Sequence, residues 1–417
     1  MSNTTLIWRI ASRYLWGKRT ANAVPVLSRI SMGAITVGSA AMIIVFSVFN
    51  GFDFLVKDYY KAFYPDIKIS TKKGKFFPAA AIDLNSFRKI NGVQHVTGVI
   101  EDNVLVSEET EISGSNNEQL VVTLKGIDHS YLDVNNIREY ITGADSVNEG
   151  EDQTAIIGLR NMHVLGADIN NVFSKIDLFY PNPTLKNPES DPDNAFEELK
   201  LHPAGVFHIV DDFETKFILA PLSLSQHLFH KEGMYSSVEL SVSAGEINHV
   251  KERLTRQLGS NYQVENRYEQ NRTLYMVMGT EKWAVYFILL MVMGIASFNM
   301  VGALGMLVME KRKDIAMMHA MGAEYGLVRK VFLLEGVLWA LTGGISGIML
   351  GCLVCFAQQK YSLIKLSGDF LVEAYPVRIE FTDLVLVLVT IIVVGFVAAW
   401  IPAKKANATS DPSLKSS

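Results

Sequence analysis

Cysteine is almost absent from this sequence. Only two stand in 417 residues, Cys352 and Cys355. Both fall inside a long apolar run with no histidine or acid beside them, so their C-x-x-C spacing reads as helix packing rather than redox chemistry or metal binding. The long polar segment before that run has no cysteine and folds without disulfides. Catalytic signatures are lacking as well. No G-x-x-x-x-G-K-[ST] loop occurs, which excludes P-loop nucleotide binding by this chain, and neither H-E-x-x-H nor G-x-S-x-G is present. The nine histidines are scattered. His202 and His208 are neighbours in sequence but have no third ligand at metal spacing, so no metal site is assigned. A basic surplus is also missing. The formal net charge is −5, and residues 53–281 hold 21 Lys+Arg against 34 Asp+Glu, which argues against a nucleic-acid partner.

What the sequence does have is apolar length. Four runs, Ile30–Phe49, Trp283–Met309, Gly336–Ala357 and Leu384–Ala403, contain no charged residue. A hydrocarbon core of about 30 Å needs roughly 20 helical residues, so each is long enough to span a bilayer. The first run is too long for a signal peptide and no small-residue cleavage pattern follows it, so it reads as a retained span. Basic residues cluster at Arg9, Arg13, Lys18, Arg19 and Arg29, at Lys311, Arg312, Lys313, Arg329 and Lys330, and at Lys404, Lys405 and Lys415. With alternating spans these clusters share one side, which the positive-inside rule makes the cytoplasm. The expected order is a cytoplasmic amphipathic segment 1–29, span one 30–52, an extracytoplasmic domain 53–281 and span two 282–309. A cytoplasmic helix and loop 310–330, span three 331–357, an outer loop 358–383, span four 384–403 and a cytoplasmic tail 404–417 complete it. The fold class expected is a membrane α-helical protein of four transmembrane helices, with an α/β extracytoplasmic domain inserted between spans one and two.

The uncharged runs of spans two and four carry no Asp, Glu, Lys, Arg or His, and span one has none before Asp53. Ion-coupled transporters keep such groups, so any transport must draw its energy elsewhere. Glu335 is the exception. It is expected to be an interfacial acid in the first turns of span three, favoured by the positive end of the helix dipole. In the large domain, Asp66–Ser70 and Gln119–Lys125 alternate with a strand period, whereas Leu84–Ile90 and Val250–Leu258 repeat with a helix period. Interleaved strands and helices over some 230 residues predict two α/β subdomains. Five prolines between Pro181 and Pro203 predict a long exposed loop or arm. Leu6–Arg19 reads either as an amphipathic helix on the inner leaflet or as a plain basic flank.

Three local patterns suggest sites. Ile315, Met318 and Met321 form an apolar stripe at helical spacing, with Gly322 placed to end the helix. Such a stripe suits a groove on a soluble partner or the membrane surface, and the pattern leaves both open. Gly343, Gly347 and Gly351 repeat every four residues, a ridge for close helix contact with a neighbouring span or a partner subunit. Phe46, Phe49 and Phe52 follow one another every third residue at the outer end of span one, beside Asn50. That aromatic face is expected either to contact a lipid-bearing substrate or to anchor the helix in the interface.

Four patches carry a resemblance. Ser47–Phe52 reads S-V-F-N-G-F. Gln270-Asn271-Arg272-Thr273-Leu274 and then Glu281-Lys282 lead into span two. Phe298-Asn299 and M-E-K-R-K-D-I-A at Met309–Ala316 close it. Ile156-Ile157-Gly158 with Leu165-Gly166 stand in the large domain. Together they resemble the FtsX-like ABC permeases, and more narrowly the lipoprotein-releasing (Lol) transmembrane subunits, across nearly the whole chain. The tail departs from the family pattern: Pro402–Leu414 keeps the prolines without the arginine. The resemblance implies that Ile156–Gly158 with Leu165-Gly166 belong to the helix preceding a central strand. It implies a coupling helix whose Lys311, Arg312, Asp314, Ile315, Met318, Met321 and Gly322 meet an ABC ATPase subunit. It further implies a second permease subunit, identical or related, and a lipoprotein substrate drawn from the outer leaflet of a bacterial inner membrane for a periplasmic carrier, with the arm 181–203 at the position that recruits it. ATP and magnesium would bind the ATPase, and this chain would hold no cofactor and catalyse nothing. An efflux permease of the same superfamily and a membrane subunit that activates a cell-wall hydrolase are the alternative readings.

Overall fold

The computed structural model describes residues 23–108, 119–144, 147, 153–171, 173–182, 185, 195–366 and 374–408. The amphipathic stretch at the N-terminus and the middle of the proline-rich arm lie outside them. Two compact units are present: residues 56–275 form one, and residues up to 55 together with those after 275, apart from 369–371, form the other.

The second of these units is helical. Four helices, Val26–Phe63, Arg272–Glu310, Gly326–Tyr361 and Phe381–Lys405, are long and apolar enough to cross a membrane. They outrun the apolar segments that announced them. The first continues past Asp53 to Phe63, with its residues from 56 belonging to the α/β unit. Charged residues such as Asp53 and Lys57 do not break a helix; they only mark where it leaves lipid.

The third span is central to this bundle, and glycine decides how. A Cβ on Gly343 would lie 2.7 Å from the carbonyl oxygen of Met32, and one on Gly351 3.0 Å from that of Ala40. On Gly347 it would lie 2.3 Å from the Thr36 oxygen. The ridge therefore faces the first span of the same chain, which resolves the choice left open by spacing. Thr36 Oγ1 donates to the Gly343 carbonyl at 3.0 Å, and Ser39 Oγ donates to that of Gly344 at 3.3 Å. Hydroxyl bonds of this kind add to close packing where the hydrophobic effect gives helices no reason to associate. The fourth span lies on another face, where Cβ atoms on Gly336 and Gly395 would each meet an alanine methyl, of Ala399 and Ala340, at 2.4 Å.

Glu335 corrects its expectation. It stands about three turns inside the helix Tyr325–Tyr361, deeper than the first turns expected, and it is 0% exposed. Depth along the helix was set by where the helix starts, ten residues before Glu335, and the apolar run did not reveal that start.

The other unit is an α/β domain. Its strands are β1 (Ile67–Thr71), β2 (Phe77–Pro78), β3 (Val93–Glu108), β4 (Leu120–Ile127), β5 (Ile141–Gly143) and β6 (Thr154–Gly158), then β7 (Ile176–Pro181), β8 (Phe196–Phe207), β9 (Phe217–Pro221), β10 (Met234–Tyr235), β11 (Ser237–Val242) and β12 (Tyr262–Asn266). Ten of them form one sheet in the order β12-β1-β11-β3-β4-β9-β6-β8-β5, with β7 bridging β3 and β8. Strand β3 is long enough to serve two neighbourhoods. It pairs with β11 up to Val99 and with β4 from Ile100 onward. Two apolar cores follow. One, around Ile69, Phe87, Leu240 and Leu254, is covered by the helix Ile247–Leu258; the other surrounds Ile100, Leu124, Ile157 and Phe229.

Two local expectations change. Ile156–Gly158 is the end of strand β6, and the helix Leu159–Leu165 follows it and stops at Gly166 with φ 67°. The strand precedes the helix because Thr-Ala-Ile-Ile is a short, buried, β-branched run. The stretch Pro181–Pro203 is not wholly a loop either. Its first residue ends β7 and its last eight lie in β8, paired with β7 and β6. Pro203 is accommodated where the β6–β8 register slips between Ala155 and Ile156.

Charge is buried in this domain. Lys125 Nζ lies 2.8 Å from Glu239 Oε1, and both side chains are almost fully enclosed. Burial alone would lower the lysine, but Glu239 overrides it and raises the ammonium above its ordinary range. Burial would likewise raise Glu101, yet Lys68 at 2.8 Å and Lys125 hold its carboxyl down at about 2. The stability that Glu101 contributes is thus complete above pH about 4.5 and is lost as pH falls toward 2. Glu239→Gln should strand the Lys125 charge and destabilise the domain by roughly 3–5 kcal/mol, seen as a lower urea midpoint in intrinsic fluorescence. An unchanged midpoint would show that the pair adds nothing.

Candidate functional site

The S-V-F-N-G-F patch is the seat of a polar clamp at the outer ends of the spans. Asn50 is buried and donates its Nδ2 to Asp383 Oδ2. Lys282 Nζ donates to Asn50 Oδ1 at 2.8 Å and lies 3.1 Å from Asp383 Oδ1. One residue each from the first, second and fourth spans thereby meets in a single cluster. Asp383 stands in the first turn of its helix, where the dipole favours a carboxylate. One turn deeper, Tyr286 of the second span shares a 3.0 Å hydroxyl bond with Thr390 of the fourth and stacks on Phe46 of the first at 6.2 Å.

Residues 374–378 lie along the first span just there. The Arg378 amide donates to the Ser47 carbonyl at 2.7 Å, and a Cβ on Gly51 would sit 2.3 Å from the Pro376 oxygen. Glycine at 51 is what lets that backbone approach. Lys282 and Asp383 were missed as a pair by sequence reasoning. Their signal was present: each is the last charge before an apolar run, and the two have opposite signs.

The three phenylalanines do not share one face. Phe46 is buried against the second span, whereas Phe52 packs edge-on against Tyr375 of the outer loop at 5.1 Å. Three-residue steps fall short of a 3.6-residue turn, so two of them rotate the face by about 120°. Phe49 lies between, half-buried.

At the other end of the bundle, the helix Arg312–Ala320 follows the second span and ends before Gly322, whose φ of 90° only glycine adopts readily. Lys311 pairs with Asp314 at 3.2 Å. Two of the three residues of the expected stripe are turned inward. Ile315 is 1% exposed in the bundle core and Met318 packs against that core, so these two fasten the helix to the spans. Met317 at 58% and Met321 at 80% exposure point outward, beside exposed Arg312, Lys313 and Ala316. Two apolar stripes coexist on this short helix, and spacing alone could not say which one the spans cover. His202 and His208 go to Ser174 and Glu214, each through Nδ1.

The chain is similar to known membrane proteins. Residues 286–410 match the model of the FtsX-like permease C-terminal domain. The lipoprotein-releasing system transmembrane protein LolE of Haemophilus influenzae is 23% identical over 416 residues, covering 95% of this chain and 96% of that one. LolC of Buchnera aphidicola subsp. Schizaphis graminum is 21% identical over 398 residues, 94% of each chain. Among solved structures, the periplasmic region of MacB from Actinobacillus actinomycetemcomitans aligns with 54% of this chain and 98% of that one, at 13% identity and a TM-score of 0.35. The clamp, the glycine-packed third span and the short inner helix thus belong to a chain whose residues 286–410 match the FtsX-like permease C-terminal domain and which is similar, along nearly all of its length, to the LolC and LolE transmembrane proteins.

Proposed function

We propose that this chain is the permease subunit of an ABC transporter that draws lipoproteins from the outer leaflet of a bacterial inner membrane and passes them to a periplasmic carrier. The observation that carries this reading is the similarity to LolC and LolE over 94–95% of the chain. The four spans, with the α/β domain between the first and second, agree with it. Energy would enter through a separate ATPase subunit, which binds ATP and magnesium, and a second permease subunit completes the assembly.

The chain's own part is mechanical. The ATPase grips the outward side of the helix Arg312–Ala320, at Met317 and Met321. Ile315 and Met318 fix that helix to the spans, so movement of the ATPase is passed into the bundle. Met321→Asp or Met317→Asp should put an unpaired charge into an apolar contact. At roughly 3 kcal/mol, co-purification of the ATPase should weaken about a hundredfold, with insertion unaffected. Full ATPase binding by both variants would remove the coupling assignment. Depletion followed by membrane fractionation tests the substrate: lipoproteins should accumulate in the inner membrane, and normal sorting would refute lipoprotein release.

A further inference from the structure

A small apolar cavity opens between the outer ends of the first and third spans. Its volume is about 120 Å³, and Ile44, Val48, Val354, Cys355, Ile364 and Val377 line it. Ile44 and Val48 are one helical turn apart on a face of the first span distinct from Phe46, which is buried against the second span. Tyr375 and the Cys355 thiol also border the cavity, as does the amide of Gln358, which is occupied elsewhere. Its Nε2 donates to the carbonyls of Ile364 and Tyr375 at 2.8 and 3.3 Å, and its Oε1 accepts from the Ile364 amide at 2.9 Å. Those bonds hold the outer loop over the cavity. Its walls are therefore predominantly apolar. Apolar cavities of comparable size, roughly 150 Å³, stay dry and take up apolar ligands such as benzene.

We infer that this cavity binds the end of one acyl chain of a lipoprotein substrate, an inference that rests on the function proposed above. The volume suits about four chain carbons rather than a whole lipid. Approach from lipid is open: Val354, Phe356, Leu363 and Ile364, on and just beyond the third span, are all exposed apolar groups. Beside the cavity, residues 376–378 lead back to the clamp, since the Arg378 carbonyl accepts from Asn50 Nδ2 at 3.4 Å. A seated chain end thus lies within a few residues of the contacts that join the first, second and fourth spans.

The test uses the full transporter in vesicles of phosphatidylethanolamine and phosphatidylglycerol. The probe is a synthetic triacylated lipopeptide with a diazirine near the end of one acyl chain; phosphatidylethanolamine with the same diazirine is the second probe. After illumination, labelled peptides are mapped by mass spectrometry. The lipopeptide should label segments containing Val48, Val354 or Ile364, and unlabelled lipopeptide should compete at least tenfold better than phospholipid. Val354→Phe, which fills the cavity, should reduce this labelling about tenfold while the melting temperature stays within a few degrees. Equal labelling by both probes, or lipopeptide labelling confined to other faces of the spans, would overturn the inference, and the wild-type mapping decides this even where the variant misfolds. Failure here leaves lipoprotein release standing if depletion still mislocalises lipoproteins; normal sorting on depletion removes the parent reading instead.

Discussion

Gly347→Leu should leave almost no folded protein in the membrane. A Cβ at that position would stand 2.0 Å from Ser39 Oγ and 2.3 Å from the Thr36 carbonyl oxygen. The serine hydroxyl can rotate or be removed, but the carbonyl belongs to the backbone of the first span. Relief requires the two helices to separate, which breaks the Thr36–Gly343 and Ser39–Gly344 bonds together. Overpacking a well-filled site costs typically about 1–3 kcal/mol, and an unyielding backbone places this case at or above the upper end. The measurement is the yield and melting temperature of detergent-extracted protein. Adding Ser39→Ala should not rescue the variant, because the Thr36 contact remains. Gly305→Leu is the matched control, since nothing lies within 4 Å of a Cβ there. Wild-type yield for Gly347→Leu would show that the first and third spans do not meet along this ridge.

Lys282→Met should be nearly as damaging, for an electrostatic reason. It leaves the buried Asp383 carboxylate with only the Asn50 amide among its clamp partners. Losing one partner of a buried ion pair costs about 3–5 kcal/mol. The side chain of Lys282 is 31% exposed, so the lower figure applies. The second span should loosen at its outer end, with the melting temperature down by several degrees and lipoprotein release down at least tenfold. The double variant Lys282→Met/Asp383→Leu separates a clamp from two unrelated defects. In a clamp the second substitution removes the stranded charge and recovers about half of the lost stability. Additive losses would show that the two residues are not coupled.

The amino-acid sequence determined the broad plan. Four apolar runs of bilayer length fix four spans, since lipid leaves a chain no other way to satisfy its backbone. The alternating Asp66–Ser70 and Gln119–Lys125 segments appear as β1 and β4, and the four-residue repeat of Val250–Leu258 as a helix, because these patterns reflect local geometry. Gly322 marked the end of its helix for the same reason. Tertiary structure decided what pattern could not. Whether the glycine ridge met a partner subunit or a neighbour in the chain depended on which helix lay opposite. The inner helix carries two apolar stripes, and only its packing shows that Ile315 and Met318 are turned inward and Met317 and Met321 outward. Asn50, Lys282 and Asp383 are separated by more than 200 and then 100 positions in the chain. No window of sequence contains all three, and their encounter follows from the assembly of the spans.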